Sequence, residues 1–318
     1  MMLTDLENKA KLLCLSGFRA LLHSLPIRML HRLAQWSAQL TYRLDRDKRR
    51  MMAAELAALG PAALGGGKLA EVVQRGLINI RKDVFEELSL VPDMSAYKLK
   101  KLTFFTGLDN LEAGLAQGRG VIILLTHFGF RKIIIPALGY AGYRVHQVAT
   151  HPLTLAKEDA RAAVHNRMME LELEFDRLVP ASFIYVENFL RPIYRALEAN
   201  EIVIFTIDGP VGQKRVALPF FQRQILLPPT PFSLGLKQGV PMLPVFVVRQ
   251  PDNRHNLNIN PPLPTQNPDG KAVALPQIMQ AFVSLLEQYV RRHPCHYADY
   301  LYRSRLNPIT DNMHVFQP

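Results

Sequence analysis

The stretch GRGVIILLTHFG, Gly118 to Gly129, decides how the rest of the chain is read. Its uninterrupted apolar run, Val121 to Leu125, reads as a strand buried on both faces, because a half-solvated strand would alternate with polar residues. Three more short apolar runs follow: Val145 to Ala149, Ile202 to Ile207 (IVIFTI) and Met242 to Val248 (MLPVFVV). Between them lie helical patterns around Ile133 to Ala141, Leu155 to Phe175, Asn188 to Ala199 and Pro231 to Gln238. Such alternation predicts an α/β fold with a mostly parallel central sheet flanked by helices. In these sheets the reactive crevice opens at the carboxyl ends of the strands. The residues that follow Leu125, Ile207 and Val248 are therefore where chemistry belongs.

After Leu125 come Thr126, His127, Phe128, Gly129, Phe130, Arg131 and Lys132. An imidazole at a strand mouth can take the proton of an attacking hydroxyl, and Gly129 would let the backbone approach a ligand closely. The plainer reading of a lone histidine is an imidazole hydrogen-bonded within the core. After Ile207 come Asp208, Gly209 and Pro210, then Lys214, Arg215 and the pair Phe220-Phe221. A buried acid is costly to desolvate without a partner, so Asp208 either orients an imidazole or substrate hydroxyl, or caps its own turn. Arg249 ends the last run, where a guanidinium suits a phosphate or carboxylate, or else merely closes a strand at the surface.

Outward from these strands, 318 residues with 48% hydrophobic and 20% charged side chains and a mean hydropathy of +0.02 specify a packed globular protein. Thirty-eight Lys and Arg against twenty-seven Asp and Glu leave +11, which favours nucleic acid, an anionic membrane surface, or an acidic substrate or carrier. No clustered basic and aromatic RNA motif and no helix-turn-helix signature accompanies that charge, so nucleic acid is the weakest of these partners. Cys14 and Cys295 make neither a disulfide framework nor a metal-ligand set, which fits a reducing compartment and no metal. The longest uncharged run, the fifteen residues Ala272 to Leu286, contains Pro276 and falls short of the roughly 20 apolar residues of a membrane span. The N-terminal apolar stretch is interrupted by Arg19, Arg28 and Arg32, unlike a signal peptide.

More than half of the net charge, +6, lies in the first fifty residues. Leu12, Leu15, Phe18, Leu22 and Leu25 build one apolar helical face there, and a second helix runs from Ile27 to about Leu44 with Trp36 among its apolar positions. A basic amphipathic pair of this kind can lie in a membrane interface, or can pack its apolar face on the rest of the protein. The expected division is a basic, membrane-associating helical region over 1–58 and an α/β domain over 59–318, with the breaker-rich LGPAALGGG (Leu59 to Gly67) at the junction. A helical pattern through Leu69, Val72, Val73, Leu77, Ile80 and Val84 follows it.

The order of these segments resembles the lauroyl/myristoyl acyltransferase family of lipid A biosynthesis, within the wider glycerolipid (lysophospholipid) acyltransferase superfamily. The resemblance runs from Arg43–Leu56 to RRHPCHYADYLYRSR, Arg291 to Arg305, by way of GRGVIILLTHFG, VIFTIDGP (Val203 to Pro210) and Leu218 to Arg249. It implies transfer of a fatty acyl chain from an acyl-carrier-protein or acyl-CoA co-substrate to a hydroxyl of a membrane glycolipid, lipid A-like or other, without a further cofactor. His127 takes the place of the catalytic histidine and Asp208 that of the acid after the second central strand. Gly129, Arg131, Lys132, Gly209, Lys214, Arg215, Phe220, Phe221 and Arg249 become substrate-binding residues. The implied location is peripheral, on the cytoplasmic face of the bacterial inner membrane.

One position departs from the pattern. The family places an acid five residues after the histidine, and Lys132 stands there. A cation cannot accept the imidazole's hydrogen bond and, if close, depresses its pKa. Three resolutions are open. Asp208, Glu187 or Glu201 supplies the carboxylate from elsewhere in the fold; His127 works alone while Arg131 and Lys132 hold a phosphate; or the protein is an inactive relative that binds lipid or acyl carrier.

Overall fold

The structure, a computed structural model, describes residues 14–90, 94–155, 163–187, 190–210, 212, 214–310 and 313–317. Helix α1 occupies residues 14–24, and α2 (Ile27–Leu44), α3 (Arg46–Ala57) and α4 (Leu69–Leu90) follow. Helices and strands then alternate as α5 (Ala96–Leu102), β1 (Thr103–Thr106), α6 (Leu108–Leu115), β2 (Val121–Leu125), α7 (Ile134–Tyr140), β3 (Val145–Ala149), α8 (Ala163–Leu178), β4 (Ser182–Tyr185), α9 (Arg191–Glu198) and β5 (Ile202–Thr206). A hairpin of β6 (Val216–Phe220) and β7 (Arg223–Leu227) precedes α10 (Thr230–Gln238), β8 (Met242–Arg249), β9 (His255–Ile259), α11 (Leu275–Arg292), α12 (Ala298–Leu306) and β10 (Phe316–Gln317). The four apolar runs are thus β2, β3, β5 and β8. Of the expected helical patterns, residues 156–162, 188 and 189 lie outside the described residues, as does Leu12.

Seven strands form one sheet in the order β1-β9-β8-β2-β5-β3-β4, and β6, β7 and β10 form a second of three. The run β8-β2-β5-β3-β4 is parallel throughout, so five carboxyl ends open on one edge. β9 pairs antiparallel to β8 and β1 pairs parallel to β9, so these two strands run opposite to the other five. Every residue of β2 and β8 is buried, and their alternation divides the core in two. Ile122, Leu124, Val203 and Phe246 pack with α11 on one face; Ile123, Leu125, Ile204 and Val247 pack with α7 on the other.

The N-terminal helices correct one expectation. Leu22, Leu30 and Ala34 are buried with Phe85, Leu88 and Leu171, with Phe18 and Leu25 against them, and the Phe18 and Phe85 ring centroids lie 5.2 Å apart. The apolar face of α1 offered above to acyl chains is therefore committed to α4 and α8. Exposing Leu22 or Leu30 would cost about 2 kcal/mol each in apolar burial. A different row stays uncovered. On α2, Met29, Trp36, Leu40 and Leu44 are 53%, 63%, 42% and 72% exposed, and Arg32 and Arg43 beside them are exposed too.

Candidate active site

The register of the sheet assembles the site. Leu125 of β2 pairs with Thr206 of β5, and the Ile207 amide donates to the Leu125 carbonyl at 2.9 Å. Continued two residues further, the pairing sets His127 beside Asp208. The wholly buried Asp208 carboxylate accepts from the His127 backbone N–H at 3.0 and 2.9 Å, from His127 Nδ1 at 2.7 Å, and from the Tyr297 hydroxyl at 2.8 Å. The Tyr300 hydroxyl donates to the Asp208 carbonyl, and its ring stacks on the imidazole at 4.3 Å between centroids and 5° between planes. The imidazole is held at one nitrogen and across one face. With Nδ1–H donated to Asp208, Nε2 carries the free lone pair.

Burial first, and the neighbouring Arg131 cation second, lower the His127 pKa from 6.5 to about 4 against the opposing pull of Asp208. The ring is therefore neutral near pH 7, which is the form that accepts a proton. Acids one helical turn apart on α8, Glu172 and Asp176, approach from the opposite wall, and burial raises Asp176 to about 6.

His127 opens on a cavity of about 580 Å³ that spans the carboxyl ends of β3 and β5 and is walled by α8, α9 and α10. Arg131, Lys132, Glu172 and Asp176 line its polar end. Val148, Phe205, Ile193 and Leu234 line an apolar one, with the register partners Val148 and Phe205 on the same face. The arrangement offers a neutral, oriented base at the junction of a charged and a greasy chamber.

Several sequence-derived assignments change. Lys132 is not a phosphate grip: its Nζ lies 2.7 Å from Glu87 and 2.6 Å from Glu172, and although burial disfavours its charge these carboxylates raise its pKa. The Arg131 side chain lines the cavity with no hydrogen-bond or ion-pair partner among the described residues, its backbone N–H alone donating to the Gly129 carbonyl at 2.9 Å. Gly129 does not serve a ligand. At φ +63° it places an added Cβ 2.1 Å from the Val247 carbonyl, and its N–H donates to the His296 carbonyl at 3.0 Å, so it seats the β2 mouth against β8. Gly209 does line the cavity, and Arg215 braces that loop by donating to the Gly209 carbonyl at 2.8 Å. Lys214 is exposed outside the cavity. Phe220 is buried behind the site among Tyr297 and Phe316, and the Phe221 N–H donates to Glu287. Glu187 accepts from the His151 backbone, while Glu201, at the opposite edge of the sheet, pairs with His146, so neither reaches His127.

Arg249 is the largest correction. Its side chain is 4% exposed and donates to Glu86 at 2.6 and 2.9 Å and to Asp83. His255 Nε2 lies 2.7 Å from the same Glu86. Ligand atoms of Asp83, Glu86 and His255 lie within 4.8 Å of one another, the spacing of a metal site, but the guanidinium already supplies the counter-charge to both carboxylates. Tyr297 and Tyr300 were missed. Their signal was present in YADYLYRSR, where Tyr297, Tyr300 and Arg303 recur every three residues on one side of a helix.

A mostly parallel sheet thus carries, at the carboxyl ends of its central strands, a histidine-aspartate pair beside a cavity of about 580 Å³. The chain belongs to the bacterial lipid A biosynthesis acyltransferase family, whose family model matches residues 13–303. The activity of that family is acyl transfer to a lipid acceptor. A search of curated proteins finds no match.

Proposed function

We propose that this protein transfers a fatty acyl chain from an acyl-carrier-protein or acyl-CoA thioester to a hydroxyl of a lipid A-like membrane glycolipid, with His127 as general base. The observation that supports this reading is the His127 and Asp208 pair opening on the two-chambered cavity. His127 Nε2 takes the proton of the acceptor hydroxyl as its oxygen attacks the thioester carbonyl carbon. The negative charge that develops on the carbonyl oxygen is met by Arg131, whose charge no protein carboxylate answers by direct contact. Collapse of the tetrahedral adduct breaks the carbon–sulfur bond, and the imidazolium returns its proton to the departing thiolate, leaving ester and free thiol. Asp208 stands in for the acid the motif lacks at position 132. The acyl chain lies along Val148, Phe205 and Leu234.

Purified protein given long-chain acyl-CoA or acyl carrier protein and a lipid extract converts thioester into ester, and His127→Ala lowers this by about 1,000-fold, within the range for losing a general base. Turnover that survives His127→Ala removes the assignment, and binding of carrier without product from any acceptor makes the protein the inactive relative. No described helix is long and apolar enough to cross a membrane. We place the protein peripherally on the cytoplasmic face of the inner membrane, with the exposed row Met29, Trp36, Leu40 and Leu44 as the inserted face and Arg32 and Arg43 at lipid phosphates.

A further inference from the structure

A second hollow, of about 230 Å³, opens between α2, α3, α4 and α12 and shares no lining residue with the active-site cavity. Its polar wall consists of Thr41, Lys48, Arg81, Asp299 and Arg303. The charges do not balance: three cations share one acid. Asp299 takes Lys48 at 3.3 Å and Arg303 Nε at 2.7 Å, while among the described residues the Arg81 side chain has only the Thr41 hydroxyl, 3.1 Å from its Nη2. The remaining N–H groups of both guanidinia have no acceptor among the described residues. An ion-pair staple between α3 and α12 accounts for Lys48, Asp299 and Arg303. It leaves Arg81 and a net charge of +2 unexplained.

We propose that this hollow binds a phosphate monoester dianion. Two negative charges cancel the excess, whereas a single carboxylate leaves half of it. Lys48, Arg81 and Arg303 come from three different helices, so their donors converge from three directions, as a tetrahedral anion requires and a planar one does not. The volume admits one phosphate with part of the glycerol or sugar that carries it. The site also explains why the basic run around Arg43 to Arg50 meets the C-terminal segment: Lys48 comes from the first and Arg303 from the second. Arg303 lies three residues beyond Tyr300 on α12, so the occupant sits about one helical turn from the ring stacked on His127. The proposal rests on this charge balance and does not depend on the acyl-transfer reading.

The test uses the full chain at constant ionic strength. Titration with inorganic phosphate and with glycerol 3-phosphate is expected to saturate, and Arg81→Gln and Lys48→Gln are each expected to raise the dissociation constant about tenfold or more, the effect of losing one charge-assisted contact. Thermal melting confirms that each variant is folded, and Lys48→Gln carries the test if Arg81→Gln is not. Co-flotation with vesicles of equal anionic fraction, containing phosphatidic acid or phosphatidylglycerol, separates the sources. A preference for phosphatidic acid that Arg81→Gln removes identifies a lipid headgroup; binding of the soluble esters without that preference identifies a soluble phosphate ester. Binding unchanged in both folded variants, or no saturable binding together with equal flotation on the two lipids, overturns the proposal.

Discussion

Arg131 follows β2 and Arg249 ends the neighbouring strand β8, on the same edge of the sheet, yet they are opposites. Arg249 is buried against two carboxylates that α4 delivers one turn apart, Asp83 and Glu86, and its charge is spent inside the protein. Glu87 and Glu172 are bonded to Lys132 instead, and Glu172 and Asp208 act on Arg131 only through space, which leaves its guanidinium on the cavity wall without a directly bonded carboxylate among the described residues. A cation at a strand mouth is thus defined by the acids that the overlying helices bring to it. Its own position on the strand does not decide the matter.

Removing each arginine breaks or sharpens that contrast. The largest effect belongs to Arg249→Met, which strands Asp83 and Glu86 and is expected to cost about 3–5 kcal/mol of unfolding free energy in denaturant titration. Arg131→Gln is expected to cost less than about 1 kcal/mol, because no bonded partner is lost. Equal destabilisation by the two would erase the distinction.

In activity the order reverses. Arg131→Gln should lower acyl transfer by about 100-fold, the loss expected for one oxyanion donor, with thioester consumption as the measurement. It should also move the acid limb of the pH profile. The neutral imidazole is the active form, so wild-type kcat/KM falls only as pH drops through about 4. Arg131 disfavours the imidazolium, so its removal raises that limb toward the ordinary histidine value of about 6.5. A wild-type limb already at about 6.5 contradicts the role given to burial and Arg131.

A smaller effect separates the two N-terminal apolar faces. Trp36→Ser with Leu44→Ser should weaken co-flotation with anionic vesicles by about tenfold and leave melting unchanged, whereas Leu22→Ser should lower the melting temperature. Weakened flotation only with Leu22→Ser would return the membrane face to α1.

β2, β5 and β8 were legible because they are buried on both faces almost throughout, and such strands leave little room for polar residues; β3 also stands where it was expected, although His146 and Gln147 interrupt it and only Val145 and Gln147 are buried. Short strands with mixed burial, such as β4 and β6, carried no such signal. His127 and Asp208 were legible as strand-end residues. Their partnership was not, because it depends on β5 lying beside β2 with Leu125 opposite Thr206, a register set by long-range packing. Arg249 and Lys132 misled for the same reason, since nothing local to either announces Asp83, Glu86, Glu87 or Glu172. The α1 face looked like a membrane surface because periodicity identifies an apolar face without saying what covers it.

The central claim is that Asp208, reaching His127 from the neighbouring strand, replaces the acid missing at position 132. Acyl transfer by folded Asp208→Asn tests it most directly, since the amide keeps the shape of the carboxylate and loses its charge. A fall of about 100-fold or more in the rate, with the circular dichroism spectrum retained, is the predicted result. A folded Asp208→Asn protein whose rate stays within about threefold of wild type contradicts the claim, because the loss of an acid-base element costs far more.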